Sequence, residues 1–218
     1  MGYMDIKKAV IKSQHCQRNW DLSKEISQED LETIVHAATN CPSKQNIAHY
    51  KVHFITNRDI IEEIHANTEG FARNYTDETI VYETNSQVLA NLLVVFEAYD
   101  YKLNLPDLII RNDETQTWLQ TQSLTPQQEA VMTRDRHMAV GIAAGYVNVI
   151  SSMLGYSTGC CACFNSDKVK EILNTDNDIL LLMGVGYPDS TRNRREHQTS
   201  DFVFPTKKKQ PIAVNHIN

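Results

Sequence analysis

The chain has 218 residues, 41% hydrophobic and 22% charged, with a formal net charge of −6. That is enough apolar material for one core, so a single domain over 1–218 is expected, and the acidic balance offers no attraction to nucleic acid or to an anionic membrane. The five cysteines, an odd number, are expected as reduced thiols rather than a disulfide framework. The opening Met1-Gly2-Tyr3-Met4-Asp5 has no apolar stretch flanked by basic residues, so a cytoplasmic chain is expected.

Ser27 stands before a segment in which Leu31, Ile34, Val35 and Ala38 recur at helical spacing, which predicts an N-capped amphipathic helix ending near Asn40. Pro42 lies just beyond, in a polar loop from Cys41 to Asn46. Tyr50, Val52 and Phe54 then alternate with Lys51, His53 and Ile55, predicting a strand with one better buried face. The continuous apolar runs 92–96 and 179–183 predict strands covered on both faces.

Residues 101–136 are polar, carry Pro106, Trp118 and Pro126, and read as a surface excursion with some helix, a candidate lid. Residues 137–154 are apolar all round and contain Gly141, Ala143, Ala144 and Gly145, so they predict a core or interface helix that another helix can approach closely. The uncharged window 138–163 is interrupted by Asn148, Ser151, Ser152 and Gly155 and does not read as a membrane span. In the tail 202–218, Phe202-Val203-Phe204-Pro205 and Pro211-Ile212-Ala213-Val214 are extended apolar pieces expected to wrap a partner's surface. Lys207-Lys208-Lys209 is too short for an electrostatic footprint and reads as a solvated face. Helices on both faces of a mixed sheet make an α+β layered domain.

The chain lacks G-x-G-x-x-G, a Walker loop and G-x-S-x-G; Gly184-Val185-Gly186 follows a strand without the third glycine of a dinucleotide site. Cys160 and Cys163 have C-x-x-C spacing, but no second pair completes a metal site, so no metal is expected and a thiol redox pair stays open as a rival reading. His49 and His53 read as ordinary half-exposed histidines. Three polar patches remain: His15-Cys16-Gln17-Arg18, Pro42-Ser43-Lys44-Gln45-Asn46 and Arg192-Asn193-Arg194-Arg195. Guanidinium groups suit a phosphate, and amide side chains suit the edge of a heteroaromatic ring.

In this order the segments resemble the FMN-binding nitroreductase family. The resemblance is carried by His15 to Arg18 followed by Trp20-Asp21, by the N-capped helix, and by the Pro42-Ser43-Lys44-Gln45-Asn46 loop leading to Tyr50, where the family often has Trp. Further along it is carried by Leu154-Gly155-Tyr156, by Cys160 to Phe164, and by the apolar strand closing in Gly186-Tyr187-Pro188. The family begins its first cluster with Arg and places Ser two residues later; here those positions are Gln14 and Cys16.

The resemblance implies a three-layer α-β-α sandwich around a mixed, mainly antiparallel sheet, and FMN bound at the interface of a homodimer. It implies cofactor contacts from Gln14, His15, Cys16, Arg18, Pro42, Ser43, Lys44, Asn46, Asn85, Gln87, Ala162, Cys163, Arg192, Arg194 and Arg195. With Gln14 and Cys16 in place, the expectation is either weaker FMN binding or a phosphate resting more on Arg18 and the C-terminal arginines. The implied activity is hydride transfer from NADH or NADPH to N5 of FMN and onward to nitroaromatic, quinone or related small acceptors, with no catalytic side chain required. A flavin binder of the same fold, with a specialised substrate or no turnover, is the alternative.

Overall fold

Local capping chemistry sets the helix starts. In the computed structural model, which describes residues 5–70, 72–74, 80–99, 126–206 and 208–217, the Asp5 carboxylate accepts from the Lys7 and Lys8 amides at 2.8 and 3.4 Å and opens α1, Ile6–Ser13. Ser27 Oγ accepts from Asp30 N at 3.2 Å and opens α2, Gln28–Thr39, which ends at Asn40 as its sequence predicts. Asn57 caps α3, Arg58–Ala66, and Asn165 caps α5, Ser166–Leu173; each side chain fills backbone donors that the first helical turn leaves unpaired.

The strands are β1 (Tyr50–Ile55), β2 (Ala72–Asn74), β3 (Ile80–Tyr82), β4 (Leu92–Ala98), β5 (Ser157–Cys161) and β6 (Ile179–Gly186). The main sheet has the order β1-β4-β6-β5 with every ladder antiparallel, and β2 pairs with β3 separately. The parallel component is the isolated bridge of Cys16 with Thr158, which brings the segment after α1 alongside β5. Every residue of β4 is buried because the sheet is covered on both sides.

Leu92, Val94 and Phe96 pack with Ile34 and Ala38 of α2 and with Ala139, Ala143 and Val147 of the long helix α4, Pro126–Met153. Leu93 and Val95, pointing the opposite way as strand geometry requires, pack with Ile61 and Ile64 of α3 and Val169 of α5. The result is the expected three-layer α-β-α sandwich.

Two expectations change here. The helix expected from residue 137 begins at Pro126, so residues 126–136 of the expected excursion are its first turns, while 101–125 lie outside the described residues. Nor is this helix buried all round: Ala139, Ala143 and Val147 face the core, whereas Met138, Ile142 and Tyr146 are 56%, 38% and 45% exposed. Gly155 ends the turn after α4 at φ +99°, a conformation that a β-carbon disfavours, and its carbonyl accepts from Lys12 Nζ at 2.6 Å. Among the described residues no helix is long and apolar enough to cross a membrane.

A short hairpin follows β6. Glu196 bridges Val203, His197 N donates to Phe202 O, and Phe204 N donates to Arg195 O, both at 2.8 Å. The described tail residues beyond it are exposed, with Ile212 at 78%.

Candidate functional site

The β5 edge of the sheet is where two of the three polar patches meet, the one at 15–18 and the one at 192–195. A β-carbon on Gly159 would stand 2.6 Å from Gln87 Cβ and 2.7 Å from Gln17 O. Glycine there lets the turn containing Gln87 and the segment after α1 both lie directly on β5. Gln87 is then fixed at both ends, its Nε2 donating to Cys160 O at 3.2 Å and its Oε1 accepting from Arg18 Nη1. From the other terminus, Arg194 Nη1 donates to Cys16 O at 3.2 Å.

A cavity of about 680 Å³ opens beside these contacts, lined by Gln14, His15, Cys16, Arg18, Arg194, Arg195, Pro205, Thr206, Lys208 and Lys209. Lys209 Nζ reaches Gln14 Oε1 at 3.4 Å. None of these described lining residues is a carboxylate, so the arginines and lysines create a positive field in a chain whose net charge is negative. Such a pocket suits a phosphate, and the planar N–H forks of arginine match its oxygens.

The structure thus brings together Gln14, His15, Cys16, Arg18, Arg194 and Arg195. It places Arg192 elsewhere: its guanidinium donates to His197 O at 2.6 Å and Gln198 O at 3.0 Å and pairs with Glu196 at 3.2 Å, which pins the C-terminal hairpin. Asn85 and Gln87 do not line the cavity either. Asn85 Nδ2 donates to Glu69 O at 2.5 Å and Cys163 O at 3.2 Å, so its amide ties two loops together. Ala162 and Cys163 are exposed just beyond β5.

The Pro42, Ser43, Lys44 and Asn46 loop is also outside this lining. Lys44 Nζ pairs with Asp135 of α4 at 2.5 Å, while Asn148 of the same helix donates to Ser13 O at 2.9 Å, next to the cavity. At 1.5 Å rise per residue those two helix positions are about 20 Å apart, so within one chain the loop and the cavity belong to different ends of α4. Asn46 holds φ +58° and closes the loop's single helical turn.

Pro205, Thr206, Lys208 and Lys209 were not among the sequence-predicted contacts. The lysine triplet reads locally as a solvated face, and Lys208 and Lys209 are indeed exposed, yet both border the cavity; Lys207 lies outside the described residues. The available signal was their position directly after the apolar Phe202-Val203-Phe204-Pro205, which anchors them.

Burial pushes the Cys161 thiol up to about 12, while Cys160 on the same strand is exposed. Burial also raises Cys16, against the opposing effect of Arg18 and Arg194. Among the described residues no group of three His, Cys, Asp or Glu side chains could hold a metal ion.

Fold and cavity define a three-layer α+β protein with a cavity lined by arginines and lysines at one edge of its sheet. The Nitroreductase family model matches residues 11–187, and the chain belongs to that family, an oxidoreductase class. The fold is shared with a nitroreductase family protein from Clostridium novyi NT at 18% identity, covering 91% of this chain and 94% of that one with a TM-score of 0.59. It is shared too with a protein from Exiguobacterium sibiricum assigned as a nitroreductase and solved in complex with FMN (14% identity, 96% and 95% covered, TM-score 0.60). A third is a protein from Staphylococcus epidermidis assigned as an NAD(P)H:FMN oxidoreductase (12% identity, 96% and 94% covered, TM-score 0.60). A search of curated proteins finds no sequence match.

Proposed function

We propose that this chain is an FMN-dependent oxidoreductase, working as a homodimer, that draws hydride from NADH or NADPH and reduces nitroaromatic, quinone or related small acceptors. The observation that carries the reading is the cavity lined by Arg18, Arg194, Arg195, Lys208 and Lys209, with no carboxylate among its described lining residues. This donor set fits the terminal phosphate of FMN: several charge-assisted N–H donors converge where a dianion has no competing negative group. When bound, FMN supplies the hydride-accepting N5 atom and hence the redox chemistry.

The residues divide the remaining work. Arg18, Arg194 and Arg195 hold the phosphate, with Lys208 and Lys209 adding charge where Gln14 offers only an amide. Gly159 lets the Gln87 turn and the segment carrying Cys16 and Arg18 lie against β5, and Gln87 fixes Arg18. The Ser43 to Asn46 loop, about 20 Å along α4 from the cavity of its own chain, serves the ring portion from the partner subunit.

The homodimer is supported by apolar surface that one chain leaves uncovered. Met138, Ile142 and Tyr146 form a stripe on α4, and Ile6 and Val10 of the neighbouring α1 are 66% and 51% exposed. β-carbons added at Gly141 or Gly145 would meet nothing within 4 Å, so the stripe has room for a second helix at close range. The exposed Ile212, Val214 and Ile217 of the tail extend the same expectation of a partner-wrapping arm, and a cytoplasmic setting, where reduced nicotinamide is supplied, completes the reading.

The test is the visible spectrum of the purified protein, with the released flavin identified after heat denaturation and NAD(P)H oxidation followed with an added quinone. FMN at about one per subunit and quinone-dependent oxidation support the proposal. Bound FMN without turnover would favour the flavin-binding alternative; a colourless protein that takes up no FMN would defeat both.

A further inference from the structure

Phe204 is out of character with its surroundings. It lies in a tail whose later described residues are exposed, yet it is 1% exposed itself. The Arg18 guanidinium carbon sits 4.0 Å from the centre of its ring. The ring stacks with His197 at 5.7 Å and 20° and meets Phe202 edge-on at 5.0 Å. His197 is itself fixed, its Nδ1 accepting from the Thr199 and Ser200 amides, both at 3.1 Å.

The backbone explains how the ring reaches Arg18. Phe204 N donates to Arg195 O at 2.8 Å, so the hairpin strand that carries Arg194 and Arg195 is paired with the strand that carries Phe204. One hairpin therefore brings two arginines to the cavity and places an aromatic face against a third. Stacking engages the flat face of a guanidinium and leaves its in-plane N–H groups for other partners. Gln87 takes one from Arg18 Nη1, and the rest of that edge belongs to a side chain lining the cavity.

We infer that Phe204 is a positioning residue for phosphate recognition, holding Arg18 in the anion pocket through its ring. The inference rests on the FMN reading above and adds that the C-terminal hairpin couples Arg18, Arg194 and Arg195 into one clamp.

The experiment is a double-mutant cycle on the full chain, with FMN and riboflavin titrated by flavin fluorescence against wild type, Phe204→Leu, Arg18→Gln and the double variant. Phe204→Leu lowers FMN affinity about three- to tenfold, leaves riboflavin affinity unchanged, and costs nothing further once Arg18 is Gln. Phe204→Tyr, which keeps the ring, retains wild-type discrimination between the two ligands. Equal losses for FMN and riboflavin, or a penalty that persists beside Arg18→Gln, would overturn the inference. Thermal midpoints accompany each titration, and Phe204→Met replaces the leucine variant if that one unfolds. A wild type that takes up no FMN defeats the functional reading alone. The same cycle is then run with inorganic pyrophosphate, whose binding must show the same non-additivity, and additive losses there overturn the role of Phe204.

Discussion

The two sides of the sheet treat charge in opposite ways. On the β1 side, Glu97 of β4 is fully buried, and its carboxylate accepts from Lys51 at 3.0 Å, Thr175 at 2.9 Å, Asn177 at 2.7 Å and also His53. Burial alone would raise its pKa, but the hydrogen bonds from Asn177, His53, Lys51 and Thr175 hold it down at about 2. On the β5 edge, arginines and lysines gather around a cavity with no carboxylate among its described lining. The first cluster is satisfied within the chain and stitches the loop after α5 to the sheet; the second has no carboxylate among its described lining to balance it, which is why we propose an anion there. Charge density alone does not mark a binding site. What marks it is charge without an internal partner of opposite sign.

The comparison can be broken at its strongest point first. Glu97→Ala leaves the Asn177 and Thr175 donors and the Lys51 and His53 side chains without their acceptor, and should destabilise the fold by about 2 to 3 kcal/mol. Urea unfolding would read this as a fall in midpoint at constant slope. An unmoved midpoint would mean the cluster is ornamental.

At the other edge, Arg18→Gln should cost FMN affinity about thirtyfold, near 2 kcal/mol, with the urea midpoint little changed. A large stability loss with unchanged FMN affinity would reverse the roles assigned to the two edges.

Acid sharpens the picture. His65 is pushed down to about 4, first by burial and then by His197 and Arg58 nearby. The unfolded ring takes up its proton near pH 6.5, so the stability it contributes is present above that pH and is lost as pH falls from 6.5 towards 4. Glu97, protonated in the unfolded chain near 4.5 and in the folded chain near 2, adds a second loss between those values. Thermal midpoints should fall through both windows, and His65→Gln should flatten the upper one only.

The smallest expected effect is a gain. Gln14→Arg places a guanidinium in the cavity lining and should tighten FMN about three- to fivefold. Weaker binding would mean that the repulsion of Lys209, which now reaches Gln14 Oε1 at 3.4 Å, outweighs the new contact.

Much of the scaffold is legible one segment at a time. Ser27 before the Leu31, Ile34 and Ala38 repeat fixes α2 to within a residue of its observed ends, because capping and helical periodicity are local. The apolar runs at β4 and β6 announce strands covered on both faces. Strand β5 was missed: Ser157-Thr158-Gly159-Cys160-Cys161 has little apolar pattern, and what makes it a strand is its antiparallel register with β6. The start of α4 was placed too late because 126–136 is polar on a helix whose outer face meets no core.

Of the candidate site, the N-terminal cluster and the arginine run were readable as residue types but not as neighbours. Arg192, Arg194 and Arg195 are indistinguishable in the sequence. Only the hairpin separates them, turning Arg192 onto the backbone of His197 and Gln198 while Arg194 and Arg195 face the cavity.

The sequence by itself determined the layered fold and its core strands, since burial pattern and capping are carried by residues close together in the chain, and the order of its motifs carried the resemblance to the family. The tertiary structure alone decided which cations share a cavity, that the lysines after Phe204 belong with them, and that the Ser43 to Asn46 loop stands at the far end of α4. Those facts depend on contacts between segments separated by most of the chain, and no local periodicity encodes a distance of that kind.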